Sequence, residues 1–371
     1  MQRHITAACI LAICATALAI LPAGCHADPG PVTKNDVLTI QNGKFYLQGK
    51  RFGEISFNKF DLFWQLFSLL ADGKGDTQEY RDMVARQDQA LAELHQMGFH
   101  SIRFFGLPWG IWDFRPVYND PTRRQSVYYK AMDTALDLCD KNQIQVVYSL
   151  GVSNFTDRTR VHGQFVYGPE QERELIADPN SRSRQEVYRY IDDVVNRYKN
   201  RKTVLMWEIS NEVTLGADIS PETNIYNGQR MPSLLDVAHF FDDVAKRIKA
   251  DDPLRLVNSG GSHMRGSQWN QYTMHTWTRD TVEEQNKALS LLYATSAVDV
   301  VDIHYYTNNK TVDEMVKGPN GEEVPMDIAQ YAIAANRIGK PMMLGETGSS
   351  ATARDNKPKD LKVYQETPDY H

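Results

Sequence analysis

Apolar and polar positions change rhythm once along this chain, near residue 52. Upstream, the stretch LTIQNGKFYLQGKRF (residues 38–52) alternates at period two around Asn42-Gly43, with Gly49 making a second turn, which predicts a β-hairpin. Downstream, short apolar runs alternate with long amphipathic segments, the signature of repeated βα units feeding a parallel sheet. The predicted strands cover residues 54–57, 101–105, 144–149, 204–209, 254–258, 298–304 and 341–346. The segments EYRDMVARQDQALAELHQMG, RRQSVYYKAMDTALDLCDKN, RQEVYRYIDDVVNRYKN, SLLDVAHFFDDVAKRIKADD, TVEEQNKALSLLYATS and MDIAQYAIAANRIGK between them predict helices. Several place apolar residues at i, i+3 and i+4, and two stop at a glycine just before the next strand, Gly98 and Gly339.

Seven such strands over roughly 300 residues predict one (β/α)8 barrel, a TIM barrel entered through the N-terminal hairpin. The rival is an open doubly wound sheet. Against it, no Gly-rich phosphate turn follows the first strand, and polar or aromatic residues cluster at the carboxyl ends of nearly all strands.

The ends of the chain follow other rules. Arg3 and His4 precede an apolar run (residues 5–21) that ends in Pro22-Ala23-Gly24-Cys25-His26-Ala27, which predicts a signal peptide over residues 1–27 and an exported protein. Cys25-His26-Ala27 offers small residues to a signal peptidase, whereas Ala23-Gly24-Cys25 is similar to a lipoprotein box, with Pro22 where that box wants Leu. Lipid anchoring at Cys25 is thus the lesser alternative. At the other end only 25 residues follow Glu346, and they are polar, so the barrel of residues 28–371 is expected to lack its eighth βα unit.

Composition narrows the classes. Of the 371 residues, 42% are hydrophobic and 24% charged, as in a soluble globular protein. Removing residues 1–27 takes one Arg and no acid, leaving 40 basic against 47 acidic residues, a balance that does not court nucleic acid. Cys139 then stands apart from any disulfide framework and reads as a small buried hydrophobe. No CxxC, HExxH, Walker loop or GxSxG occurs, and His162, His263 and His275 lack ligand spacing, so neither metal nor cofactor is expected. The expected state is a monomer.

In a parallel barrel the carboxyl ends of the strands converge on one face. Asn58, Arg103, Ser153, Asn154, Asn211, Glu212, His304, Tyr306 and Glu346 all fall there. A lone Glu at a strand end reads as the start of a solvated loop. Two together supply what glycosidic cleavage needs, a proton donor for the leaving oxygen and a group that attacks or activates water. Trp109, Trp112, Trp269 and Trp277 near the same ends suit stacking on sugar rings, or else pack their loops.

VLMWEISNEV, VDIHYY, PMMLGETG and HSIRFF together resemble the strand-four, strand-six, strand-seven and strand-two motifs of clan A glycoside hydrolases, family 5, the cellulases and mannanases. The hairpin resembles the segment that closes that family's barrel floor. The resemblance implies a retaining mechanism with Glu346 as nucleophile and Glu212 as acid and base, their carboxyls about 5–5.5 Å apart. Two acids so close hold their ionisations apart, so Glu212 is expected to stay protonated while Glu346 is charged. Arg103 would pair with Glu346 and keep it ionised, Tyr306 would orient it, and Asn211 would hold the sugar 2-hydroxyl. His304 divides evenly between site and core. Glu208 reads as a buried, paired carboxylate and Trp207 as barrel packing, because alternation along the strand and the motif both place the acid at Glu212.

For substrate, SLGVSNFTDRTRVHGQFVYG after the third strand is similar to the mannanase branch, which implies an endo-acting enzyme on β-1,4-mannan. β-Glucan is the near alternative, and a non-catalytic carbohydrate-binding barrel the distant one.

Overall fold

The computed structural model describes residues 31–108, 114–152, 158–161, 164–167, 169–220, 222–223, 225–226, 229–306 and 315–348. The expected signal peptide with Cys25, and the segment 349–371 on which the missing eighth unit turns, lie outside the described residues. No described helix is long and apolar enough to cross a membrane.

The barrel strands are β1 (Phe57–Asn58), β2 (Ser101–Phe105), β3 (Gln145–Ser149), β4 (Val204–Glu208), β5 (Val257–Asn258), β6 (Val301–His304) and β7 (Met342–Glu346). Parallel ladders join β1 to β2, β2 to β3, β3 to β4, β4 to β5 and β6 to β7. A parallel bridge from Asn258 to Val300 carries the sheet from β5 to β6. Sequence order is therefore spatial order, as in a (β/α)8 barrel. Among the described residues β1 and β7 each have one strand partner, and their free edges are tied by the Asn58 side chain, which donates to the Gly345 carbonyl over 3.2 Å.

The helices of the outer layer are α1 (Asp61–Ala71), α2 (Gln78–Gln96), α3 (Lys130–Lys141), α4 (Arg182–Tyr198), α5 (Leu234–Asp251), α6 (Val282–Tyr293) and α7 (Ile328–Arg337). Their starts are chemically marked. Ser233 with Asp236 and Thr281 with Glu284 form reciprocal capping boxes, and Thr77, Ser181 and Asp327 accept from the third residue onward. Gly98 and Gly339 adopt positive φ just past α2 and α7, where the sequence places helix stops.

The predicted hairpin is present as strands Thr39–Gln41, Lys44–Leu47 and Lys50–Arg51. Leu38 and, from this hairpin region, Phe45, Leu47 and Phe52 pack on Val147, Leu205, Met206, Leu256 and Met343 and plug the barrel floor. A bulge between β3 and β4 skips Leu205 in the pairing and turns it to the floor beside Met206. Between β1 and β7 the floor opens into a cavity of about 670 Å³ lined largely by apolar side chains such as Phe45, Phe52 and Leu344. Cys139 is buried and unpaired in α3, as a small hydrophobe would be.

Candidate active site

Alternation along β4 divides its residues between two environments. Trp207 faces the helices, fully buried, with Tyr148 at 5.2 Å and its indole N–H donating to Asp252 over 2.8 Å. Glu208 faces the interior, fully buried, where Arg103 grips both its oxygens, Nε and Nη2 each at 2.7 Å. Such a two-point fork is the strongest way to hold a buried carboxylate.

Beyond Glu208 the chain turns sharply. Glu212 sits in the left-handed region, φ 54 and ψ 30, at the head of the 3-10 turn Val213–Gly216, and its N–H donates to the Gly260 carbonyl over 2.7 Å. A non-glycine residue there is strained, a condition that the surrounding contacts must enforce. Gly260, at φ 67, enforces it by approach: a Cβ on it would stand 1.7 Å from the Ser210 carbonyl oxygen. The turn that aims Glu212 exists because residue 260 has no side chain.

Arg103 organises the rest. Its Nη1 donates to Glu346 Oε1 over 2.9 Å and to Asn58 Oδ1 over 3.3 Å, while Nη2 also reaches Asn211 Oδ1 at 2.9 Å. The rings of Phe105 and Phe60, stacked on each other at 4.7 Å, lie 5.1 and 5.7 Å from the guanidinium carbon. Tyr306 donates its hydroxyl to Glu346 Oε2 over 2.7 Å, so both oxygens of Glu346 are oriented. His304, fully buried, sets Nδ1 3.1 Å from Glu212 Oε1 and 3.7 Å from Glu346 Oε2. One carboxylate oxygen of Glu212, one of Glu346 and a ring nitrogen of His304 thus lie within 4.8 Å of one another. That spacing would also suit a divalent cation, but Glu346 already serves two donors, one of them a guanidinium that would repel a second positive charge.

The protons are arranged differently from the expectation that carboxylate repulsion alone keeps Glu212 neutral. Burial pushes the Glu212 carboxyl up, and the His304 hydrogen bond and charge outweigh it, holding the group below its ordinary value. Burial opposes the charge on His304 in turn, and Glu212 and Asp302 overcome that, raising the imidazole above its ordinary value. Each partner thus favours the charged form of the other, and the two titrate as a pair. Burial likewise works against Arg103, and the carboxylates of Glu208, Asp302 and Glu346 raise it well past its ordinary value. His263, whose Nδ1 meets the His304 carbonyl, is lowered by burial.

Arg103, Asn58, Asn211, Tyr306 and Glu346 are thus joined by hydrogen bonds, and Glu212 and His304 form a second hydrogen-bonded pair that approaches Glu346 at 3.7 Å. His304 proves to be core and site at once. Trp269 and Trp277 belong to the excursion after β5, where Trp269 packs against the main core and Trp277 is exposed. Asn154, Ser153, Trp109 and Trp112 fall outside the described residues. Four participants have no counterpart in the sequence analysis as site residues: Phe60, Phe105, Asn258 and Asp302. Asp302 had one available signal, its place two residues before His304 on the same strand face.

A parallel barrel with an Arg-braced carboxylate close to a second one at the carboxyl ends of its strands is built as a retaining glycoside hydrolase. Residues 68–370 match the family model "Cellulase (glycosyl hydrolase family 5)", and the chain belongs to that family. Mannan endo-1,4-beta-mannosidase 8 of Oryza sativa subsp. japonica is 23% identical over 314 residues, 78% of this chain and 74% of that one. Among solved structures, an endo-1,4-beta-mannanase from Rhizomucor miehei superposes with TM-score 0.54 at 16% identity, over 84% of this chain and 82% of its own. A family 5 mannosidase from the same organism gives 0.56 at 14% identity, over 85% and 74%. At these identities the structural likeness is one of fold.

Proposed function

We propose that the chain is an endo-acting hydrolase of β-1,4-mannan with Glu346 as nucleophile and Glu212 as acid and base. The observation that carries the two glutamate roles is that a Glu212 oxygen and a Glu346 oxygen lie within 4.8 Å of each other, which supports the close spacing of a retaining pair. A Glu346 oxygen bonds to the anomeric carbon as the bond to the leaving sugar breaks, and the leaving oxygen takes a proton from Glu212. Water then attacks the same carbon, gives its proton to Glu212, and the ester to Glu346 breaks. Two inversions give net retention. Asn211, whose side-chain oxygen is taken by Arg103, keeps its amide N–H groups for the sugar. The mannan preference is supported by the rice relative and by the stretch after β3.

The test compares wild type with Glu346→Ala on mannan and β-1,4-glucan oligosaccharides, following product length and anomeric configuration. Wild type should release mid-length manno-oligosaccharides with retained configuration, and the variant should lose at least about 10⁴-fold in kcat. Inverted products would remove Glu346 as nucleophile; turnover on glucan alone would move the substrate; binding without turnover in both would leave a carbohydrate-binding barrel. We further place the enzyme outside the cytoplasm on the strength of residues 1–27, which amino-terminal sequencing of the mature protein tests.

A further inference from the structure

The Glu212 and His304 pair has a third member that the hydrolytic reading above does not use. Asp302 precedes His304 by two residues on β6, so both point into the barrel. Its carboxylate is fully buried and lies beneath the imidazole, with Oδ2 3.9 Å from Nε2, the ring nitrogen opposite the one that meets Glu212. The position is constructed from two sides. Asn258 on β5 donates to Asp302 Oδ2 over 2.7 Å and to Glu208 Oε2 over 3.3 Å. On β7, Gly345 leaves the space that the other oxygen occupies, since a Cβ there would stand 2.5 Å from Asp302 Oδ1. Asp302 Oδ1 and His304 Nε2 have no hydrogen-bond partner among the described residues, so the carboxylate and the imidazole meet through charge alone. A carboxylate buried in this way is costly unless a charge answers it, and the answering charge at its open side is the imidazole.

We propose that Asp302 is a positioning residue for the acid/base step: from inside the barrel its charge favours the protonated form of His304, and through His304 it supplies Glu212 with its proton. The inference rests on the assignment of Glu212 as acid and base. Nδ1–H of His304 gives its proton to Glu212, which then delivers it to the leaving oxygen, and the proton that Glu212 takes from water in the second half returns to His304 Nδ1. Asp302 exchanges no proton with substrate; its charge keeps the shared proton in the pair as pH rises.

The groups facing this relay are few. Around His304 stand Glu212, Asp302, Arg103, Glu346 and, at its backbone, His263. Around Asp302 stand His304, Glu208, Arg103 and the Tyr293 hydroxyl of α6. Burial pushes the Asp302 carboxyl up to about 6, so above that pH it is ionised and exerts its pull on the imidazole.

The experiment is the pH profile of kcat/KM for wild type and Asp302→Asn on the oligosaccharide that wild type cleaves. Removing the charge lowers the proton affinity of the His304 and Glu212 pair, so the alkaline limb should move down by about one pH unit or more while the acidic limb stays. A uniform loss at every pH with both limbs unmoved would make Asp302 merely structural and overturn the proposal. Should Asp302→Asn not fold, ¹⁵N NMR of histidine-labelled wild type reads the same relay. His304 should carry its proton above pH 6.5, the ordinary imidazole value, and a ring neutral from pH 5 upward overturns the proposal. The NMR result stands even if no polysaccharide is cleaved, so failure of the hydrolase reading and failure of the relay are separable.

Discussion

At the scale of single residues, Arg103 bears the largest share of the geometry. Its donors reach Glu208, Asn58, Asn211 and Glu346 at once, from a side chain that is 2% exposed. Lysine keeps the charge and loses the planar fork, so it cannot hold Glu208 at two points and still reach Glu346. Arg103→Lys should lower kcat by about 100-fold, the cost of a small misplacement of the nucleophile, with KM moved much less, which steady-state kinetics on manno-oligosaccharides would show. Most of this cluster is legible in sequence, because strand-end polar residues of a parallel barrel have only one face on which to gather. What the sequence hides is which partner takes which atom. Asn211 is legible as a sugar contact, and its engagement with Arg103 is not; alternation puts Asp302 on the same strand face as His304, but it does not say that the two side chains meet.

At the scale of elements, the turn after β4 is the vulnerable one. Glu212 reaches its left-handed conformation only because Gly260 lets the Ser210 carbonyl approach. Gly260→Ala should destabilise the fold by about 2–4 kcal/mol through backbone displacement and strain, read from urea unfolding, and should lower kcat in the fraction that folds. Strand lengths show a related limit of local pattern. The fifth predicted strand spans residues 254–258, yet only Val257–Asn258 pairs. Arg255 explains the difference: its side chain, not a ladder, satisfies the carbonyls of Lys199, Arg201 and Val204. The first strand shrinks similarly to Phe57–Asn58, with the Ser56 hydroxyl donating to the Ser101 carbonyl just ahead of it. Helix α1 escaped the sequence analysis although Leu62, Phe63, Leu66, Phe67, Leu69 and Leu70 are buried at helical spacing opposite Asp61, Gln65 and Ser68; no side-chain cap marks its start.

At the scale of the whole molecule, stability and chemistry sit at opposite ends of the barrel. The floor is a small apolar cluster in which Leu38 is 1% exposed, and the site is a polar layer above it. Leu38→Ala should cost about 2–5 kcal/mol of stability by opening a cavity, measured as a lowered urea midpoint, with KM at 25 °C within about twofold of wild type. Between the two ends the interior is held by charge. Glu208, Asp302 and Glu346 converge on Arg103, and β1 meets β7 through a side chain of Asn58 beside an apolar cavity.

The hydrophobic rhythm by itself determined the hairpin, the seven barrel strands in order and the face on which polar residues gather, because periods of two and 3.6 are properties of neighbouring residues. It also determined the two glutamates as a pair once a barrel was inferred. Only the tertiary structure decided that His304 pairs with Glu212, that Asp302 lies behind it, and that a missing Cβ at Gly260 aims Glu212. Those facts depend on distances of a few ångströms between strands far apart in sequence, where burial and charge act through space and leave no periodic trace along the chain.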